Sequence, residues 1–302
     1  MITFIKRNTL ASGRTLVELM IVLTISMLLM FALLSIYSAS KQTFRVVDDK
    51  SRLDEDGRLA LNLIVFHLRM AGYGSLVSAD PKKQTSYTNF LSPSNSFVEG
   101  VEGCSGGFSN PSVVAYVCNN SVGADAVIVR YVVDNLNANN TAANLPADCL
   151  GQGVIISPSV VENRFFIAIN PSTSLPELYC IGNGGSASTA INFAATRQPI
   201  AENVTDMKIT YGYDSNGDQS VDGFFPASAI SALAMPVIGT QWSNVVSVKV
   251  CLIVRSANDG IATTPQQYRN CSDGLVTATD RRLYAAFSTV IALRSRAMGS
   301  TL

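Results

Sequence analysis

Histidine occurs once in 302 residues, at His67. A single imidazole excludes a multi-histidine metal site and leaves little for histidine-based catalysis. A basic surplus is missing too. The 22 basic and 22 acidic side chains cancel, so the chain lacks the electrostatic footprint of a nucleic-acid binder. Charge of either sign is sparse, at 15% against about 25% in an ordinary soluble domain. Proline is absent between Ser38 and Ala71, and cysteine is absent from everything before Cys104. Hydrophobic residues make up 47% of the chain, which excludes disorder as the state of the whole.

The apolar residues are unevenly placed. Residues 19–37 read LMIVLTISMLLMFALLSIY, without one charge. As a helix this run is roughly 28 Å long, close to the thickness of bilayer hydrocarbon. Thr24, Ser26 and Ser35 can bond back to carbonyls of their own helix. A core helix of a soluble protein should show a polar stripe, and none is visible. Before the run, residues 1–13 carry Lys6 and Arg7 and no acid. The positive-inside rule keeps that end in the cytoplasm and puts the rest of the chain outside. Loss of those residues would leave 20 basic against 22 acidic groups, a net charge of −2.

An ordinary secretory signal shares this order of regions, with Ser38-Ala39-Ser40 as a small-residue cleavage site. It leaves Glu18 unexplained, a carboxylate at the edge of the apolar run. An interfacial residue snorkelling to the headgroups accounts for it in an isolated helix. The order Gly13-Arg14-Thr15-Leu16-Val17-Glu18 resembles the type IV prepilin signal. Arg14 stands where that pattern usually has phenylalanine. The resemblance implies that a prepilin peptidase cuts between Gly13 and Arg14 and leaves the helix in the mature chain, with a new, methylatable amino terminus. It also implies that Glu18 meets the amino terminus of a neighbouring subunit inside a filament, where a carboxylate would otherwise lack water.

Helix-forming residues continue past the apolar run. Leu61, Ile64 and Leu68 recur at helical spacing, Leu59, Leu63, Phe66 and Met70 widen that face, and Phe44 and Val47 form an earlier pair. Gly72 and Gly74 are stop signals. The spacing predicts a helix over 14–74, roughly 88 Å long if unbroken to Gly72, with Gly57 as a place where it weakens or bends. Asp48, Asp49, Asp54, Glu55 and Asp56, interleaved with Lys50, Arg52 and Arg58, are expected on a solvated face. His67 is expected to be structural or at the surface.

Residues 75–302 read as an extracytoplasmic β-rich domain. Apolar, β-branched runs at 113–117, 126–133, 164–169, 207–213, 245–254 and 284–293 are predicted strands, separated by Asn-, Ser-, Gly- and Pro-rich loops such as 135–144 and 182–188. Alternation along 245–254 predicts a half-buried strand. A long helix laid on an antiparallel sheet is an α+β arrangement. All six cysteines, Cys104, Cys118, Cys149, Cys180, Cys251 and Cys271, fall here. An even count outside the membrane, with no Cys-x-x-Cys, points to disulfides rather than zinc. Of 15 connectivities, sequential pairing is expected because each bridge then closes one loop.

Two local patterns touch on chemistry. Gly103-Cys104-Ser105-Gly106-Gly107 satisfies a hydrolase-elbow string, but no histidine follows it and its surroundings are loop, so the match is read as chance. Asp214, Asn216, Asp218, Ser220 and Asp222 place oxygen ligands at alternate positions, like the first part of a calcium loop. Gly217 is misplaced for an EF-hand and Phe225 stands where the bidentate glutamate belongs. Asn216-Gly217 after a strand also makes a hairpin turn. Calcium is the one cofactor the sequence brings forward.

Further segments narrow the resemblance. Glu55-Asp56-Gly57-Arg58, Leu68 to Tyr73, Glu202 to Met207 leading into Tyr211-Gly212, VVSVKVCLIVR at 245–255 and the ending around Arg281 to Arg294 are similar to the minor pilins of the PilW family. The likeness is loose between about Ser75 and Ile200. It implies a pilin fold and a non-enzymatic subunit, held in the inner membrane and then built into a type IV pilus. That subunit helps to start assembly and sits at or near the tip, supporting twitching, adhesion or DNA uptake. Its implied partners are other minor pilins, the major pilin, a large tip adhesin, prepilin peptidase and the inner-membrane assembly machinery. A minor pseudopilin of type II secretion shares the signal and helix. A secreted adhesin or enzyme, released by ordinary signal cleavage, is the reading from another class.

Overall fold

The computed structural model describes residues 15–73, 96–108, 118, 123–132, 141, 145, 147–154, 160–184, 197–233 and 240–293. The strand expected at 113–117 and nearly all of the loop at 135–144 lie outside them. Helix α1 runs unbroken over Leu16–Met70. The chain divides into two compact units, Met1–Asp48 and Asp49–Leu302, so the last turns of α1 belong to the globular unit.

Residues 15–45 of this helix are all exposed. The hydroxyls of Thr24, Ser26 and Ser35 donate to the carbonyls of Ile21, Leu23 and Ala32 at 2.8–2.9 Å. These three donors are thereby satisfied within the helix, as hydrocarbon requires. It is long and apolar enough to cross a membrane.

Among the described residues the globular unit holds two larger antiparallel sheets and a two-stranded ribbon. The first comprises β1 (Val98–Val101), β2 (Ala126–Val132), β3 (Val160–Ile169), β4 (Pro176–Gly182) and β5 (Gln198–Glu202), paired in chain order. Asn203, at φ 59°, turns the chain from β5 into β6 (Val204–Tyr213), and asparagine tolerates that left-handed conformation. The second sheet adds β7 (Gly223–Phe225), β8 (Val245–Arg255) and β11 (Tyr284–Ala292), in the order β11-β8-β6-β7. A short helix, α2 (Ala227–Ser231), follows β7, and a ribbon of β9 (Gln267–Arg269) and β10 (Leu275–Thr277) lies between β8 and β11 in the sequence. Asp125 stitches the sheets together: its backbone donates to the Met207 carbonyl and its carboxylate accepts from Ile209 N and Lys208 Nζ. One long helix with antiparallel sheets is the expected α+β arrangement.

The apolar stripe that α1 buries is Leu53, Ala60, Ile64, Val65 and Leu68, packed with Val127, Phe165, Met207, Val250 and Leu252. Leu59 and Phe66, expected on the same face, are each 51% exposed. At about 100° per residue they lie nearly opposite the Gly57-Ala60-Ile64-Leu68 stripe, so they face away from the core. Asp49, expected in solvent, is buried instead and accepts from Asn258 Nδ2 at 2.9 Å. The helix stops at Gly72, whose φ of 72° needs glycine and whose amide donates to the Arg130 carbonyl.

Gly57 neither bends nor weakens the helix visibly; it makes room. A Cβ there would stand 2.2 Å from Phe287 Cε2 on β11. Gly57→Ile is expected to cost about 1–3 kcal/mol by overpacking, although isoleucine is the better helix former. Urea denaturation should show that loss shrinking when Phe287→Ala is already present. Equal losses in both backgrounds would mean the ring is not what the glycine accommodates.

Strand β8 is more buried than its alternation suggests. Val248, Val250, Leu252 and Val254 face the core, yet Ser247, Cys251 and Ile253 on the other face are buried too, and only Lys249 is exposed. One reason is covalent, because Cys251 is tied to Cys271, beyond β9. Cys104 bonds Cys118 and Cys149 bonds Cys180, so each bridge closes the loop between neighbouring cysteines. Loops of this size give roughly 3 kcal/mol each.

Candidate functional site

Of the residues expected to meet the assembly machinery, Gly13 and Arg14 lie outside the described residues. The segment just after them begins the helix. Thr15 caps α1: its carbonyl accepts from Leu19 N and its Oγ1 from Glu18 N at 3.3 Å. Threonine followed three residues later by glutamate is the capping-box pattern, and a carboxylate in the first turn also suits the helix dipole. Sequence reasoning gave Glu18 an intersubunit role and did not note that Thr15 caps the first turn through the Glu18 amide. Glu18 is exposed, with bare helix following it.

The Asp214–Asp222 loop is wired as a set of turns. Asp214, itself buried, accepts from the backbone amides of Asn216, Gly217 and Gln219. Asp218 accepts from Ser220, through both amide and hydroxyl, and from Asn216 Nδ2. Asp222 closes the loop by accepting from Ser215 N at 2.8 Å. These bonds, Ser220 and Ser215 foremost, hold the Asp218 and Asp222 carboxyls below their ordinary range. Asp214, Asn216, Asp218, Ser220 and Asp222 therefore share one loop, but their oxygens are turned to amides and hydroxyls. Among the described residues no three His, Cys, Asp or Glu side chains are grouped to hold a metal ion. Asp214→Ala should lower stability by about 1–3 kcal/mol through three orphaned amides, measured by thermal denaturation. A change below 0.5 kcal/mol, on the order of a neutral surface substitution, would show the turn holds without it.

Ser105 does not sit in a hydrolase elbow. Its Oγ accepts from Ala124 N, Gly106 and Gly107 both have positive φ, and Cys104 is locked to Cys118. No strand leads into the serine and no helix leaves it.

Among the described residues is a buried cluster of charge that sequence reasoning passed over. On β2 and β3, within apolar runs, stand Arg130, Glu162 and Arg164, all buried. Arg130 Nε donates to Glu162 Oε2 at 2.8 Å and Arg130 Nη2 to Glu99 Oε2 at 3.2 Å. Arg164 Nε donates to Glu162 Oε1 at 2.8 Å, and Ser96 Oγ donates to Glu99. Two cations thus face two carboxylates without water. Burial would raise both acids. Arg130 and Arg164 overcome it at Glu162, whose carboxyl lies below its ordinary value, while burial wins at Glu99, which lies above. The signal was legible: a lone charge inside AVIVRYV and a charged pair inside VVENRFFIAI.

His67 lies in a further buried polar centre. Its Nδ1 is 3.0 Å from both Tyr131 Oη and Asn163 Nδ2. Asn163 Oδ1 accepts from Cys149 N, which fixes the amide orientation and makes Nδ2 the donor. Nδ1 is therefore an acceptor, and the neutral ring carries its proton on Nε2. Burial pushes the imidazole down to about 4. A neutral, core-facing ring without a nucleophile at hand does structural work.

Neither buried cluster is open to a substrate, and the exposed chemistry lies in a bare helix and in turns.

Residues 164–295 match the PilW family, described as Type IV Pilus-assembly protein W.

The matched stretch runs from within β3 past the end of β11. It contains three of the segments that resembled PilW proteins and leaves out α1, so the family match and the apolar helix are separate observations. The part from 164 to 200, where the likeness was loose, is included. Among solved structures the chain is similar to a type IV-like pilin, TTHA1219 from Thermus thermophilus, at 12% identity and a TM-score of 0.37, covering 82% of this chain and 98% of that one. No curated protein matches the sequence.

Proposed function

We propose that the protein is a minor pilin, a non-enzymatic subunit that is stored in the inner membrane and built into a type IV pilus. The observation that carries this reading is the bare apolar helix ahead of a stretch that matches a pilus-assembly family. Thirty-one consecutive helical or capping residues, 15–45, are exposed, and lipid or other helices are the surroundings that suit them. In this reading prepilin peptidase cuts between Gly13 and Arg14. Residues 19–37 span the membrane with the globular unit in the periplasm, and Glu18 receives the neighbouring amino terminus during assembly. Other minor pilins, the major pilin and a large tip adhesin are its partners, and its place is at or near the tip, where it helps start the filament.

Deleting the gene is expected to remove surface pili and leave exoprotein secretion intact. The reverse outcome would make the protein a pseudopilin of type II secretion. Sequencing the mature amino terminus should give Arg14 first, whereas a chain starting at Lys41 would point to a secreted protein. Glu18→Ala should still insert but enter filaments at a small fraction of the wild-type level. Glu18→Gln keeps the size and polarity of the side chain and removes only its charge. Normal incorporation of Glu18→Gln would end the charge-pairing role.

A further inference from the structure

The first turns of α1 inside the globular unit are held differently from those that follow. Between Asp49 and Asp56 the buried residues of the helix are Asp49 and Leu53. Gly57, Ala60, Ile64, Val65, His67 and Leu68 are then buried in quick succession. A Cβ at Gly57 would strike the Phe287 ring, so at this glycine the helix lies close against β11.

Asp49 is an unusual anchor. At 5% exposure its carboxylate has lost most of its hydration, a costly change unless an opposite charge or several donors make up for it. Among the described residues it is met by one neutral amide, with Asn258 Nδ2 donating to Asp49 Oδ1 at 2.9 Å. Asn258 itself is exposed. Water can therefore take over both halves of this bond once the helix lifts, and the acid regains its hydration. Burial of Leu53, at 3% exposure, acts in the other direction.

The loop that presents Asn258 keeps its shape without the helix. Ser256 N donates to the Leu283 carbonyl at 2.8 Å, and Leu283 N donates to Ser256 Oγ at 3.0 Å. That hydroxyl donates in turn to the Asn258 carbonyl at 3.0 Å. Arg282 Nη1 donates to the carbonyls of Ser256 and Ala257, and Asp259 Oδ1 accepts from Gly260 N and Arg281 N. All of these partners lie outside α1.

We propose that Asp49 and Asn258 form a releasable clasp, so that residues 49–56 of α1 lift from the sheet together while residues 57–70 stay packed. The contact of Gly57 with Phe287 is where lifting stops. Release frees eight helical residues, about 12 Å of helix, between the apolar run and the packed core. A pull or sideways push carried along the apolar helix reaches this segment first. The clasp thus sets how far the globular unit can move before its core is strained. Local opening of a thinly buried segment costs less than global unfolding. The inference concerns the globular unit and does not depend on the filament reading.

Thiol labelling of the full chain in detergent micelles tests it. All six native cysteines are paired, so an introduced cysteine is the sole free thiol. Leu53→Cys reports on the lifting segment and Ile64→Cys on the packed one. Iodoacetamide is expected to modify Leu53→Cys at least tenfold faster than Ile64→Cys. Adding Asn258→Ala should raise the rate at Leu53→Cys at least tenfold further and leave Ile64→Cys unchanged. Asn258→Asp, which sets a like charge against Asp49, should do the same and stands in if the alanine variant fails to fold. Equal rates at the two thiols, no acceleration at Leu53→Cys in the Asn258 variants, or equal acceleration at both thiols would each overturn the proposal.

Discussion

Arg130→Ala is expected to destabilise the globular unit by about 3–5 kcal/mol, the range for breaking a buried ion pair from one side. Arg130 is 1% exposed and joins Glu99 to Glu162. Its loss leaves Glu162 with Arg164 and leaves Glu99, among the described residues, with Ser96. Glu99 already lies above its ordinary range because burial outweighs the neighbouring guanidinium, and without Arg130 it must rise further. A carboxyl whose folded-state pKa lies above its unfolded value keeps a proton that the unfolded chain gives up. Stability then falls as pH rises above the ordinary carboxyl value near 4.5. The deficit of Arg130→Ala should therefore be larger at pH 8 than at pH 5. Arg130→Met with Glu99→Met, which removes both the cation and the acid it orphans, should recover much of the loss and so depart from additivity. Urea melts at the two pH values measure all of this. A deficit under 1 kcal/mol that is the same at both would show that the cluster contributes little.

That cluster also shows what the sequence could convey. The apolar run 19–37 announces itself because 19 residues without a charge suit a membrane far better than a soluble surface, and the helix that follows is legible from its spacing and from Gly72. The strands at 207–213, 245–254 and 284–293 were readable for the same kind of reason: β-branched residues between turn formers. Facing was harder. Leu59 and Phe66 look like core residues in a linear pattern, but which side of a helix meets a sheet depends on how the sheet sits. Here Phe287 occupies the space beside Gly57 and fixes that side. Asp49 is buried because of Asn258, 209 positions away, a contact that local sequence cannot announce. The loop pairs of cysteines follow from closeness in the chain, so the bridges were guessable. Arg130 and Glu162 were visible as charges inside apolar strands, yet only the fold shows that they face each other.

His67 is the case where distance along the chain matters most, since its partners lie 64 and 96 residues away. Its consequence is a pH dependence. The folded-state imidazole titrates at about 4 and the unfolded one at its ordinary value of 6.5. Between those values the unfolded chain binds a proton that the folded chain refuses, so stability rises with pH there. Above 6.5 the contribution is fully in place, and it is lost progressively as pH falls toward 4. At about 1.4 kcal/mol per pH unit, that gap amounts to about 3 kcal/mol. Glu162, held below its ordinary value of 4.5 by Arg130 and Arg164, adds its own loss of stability toward the acid end, so the wild-type curve alone does not isolate the ring. His67→Gln does, because glutamine offers an oxygen to Tyr131 and Asn163 and takes up no proton. The variant should be less stable at pH 7, where the fitted imidazole is lost, and its curve should fall less steeply between pH 6.5 and 4. The stability difference between the two proteins should thus narrow or reverse by about 3 kcal/mol on acidification. Parallel curves would mean that Nδ1 accepts a proton in the folded state as readily as in water, which two donors 3.0 Å away should prevent.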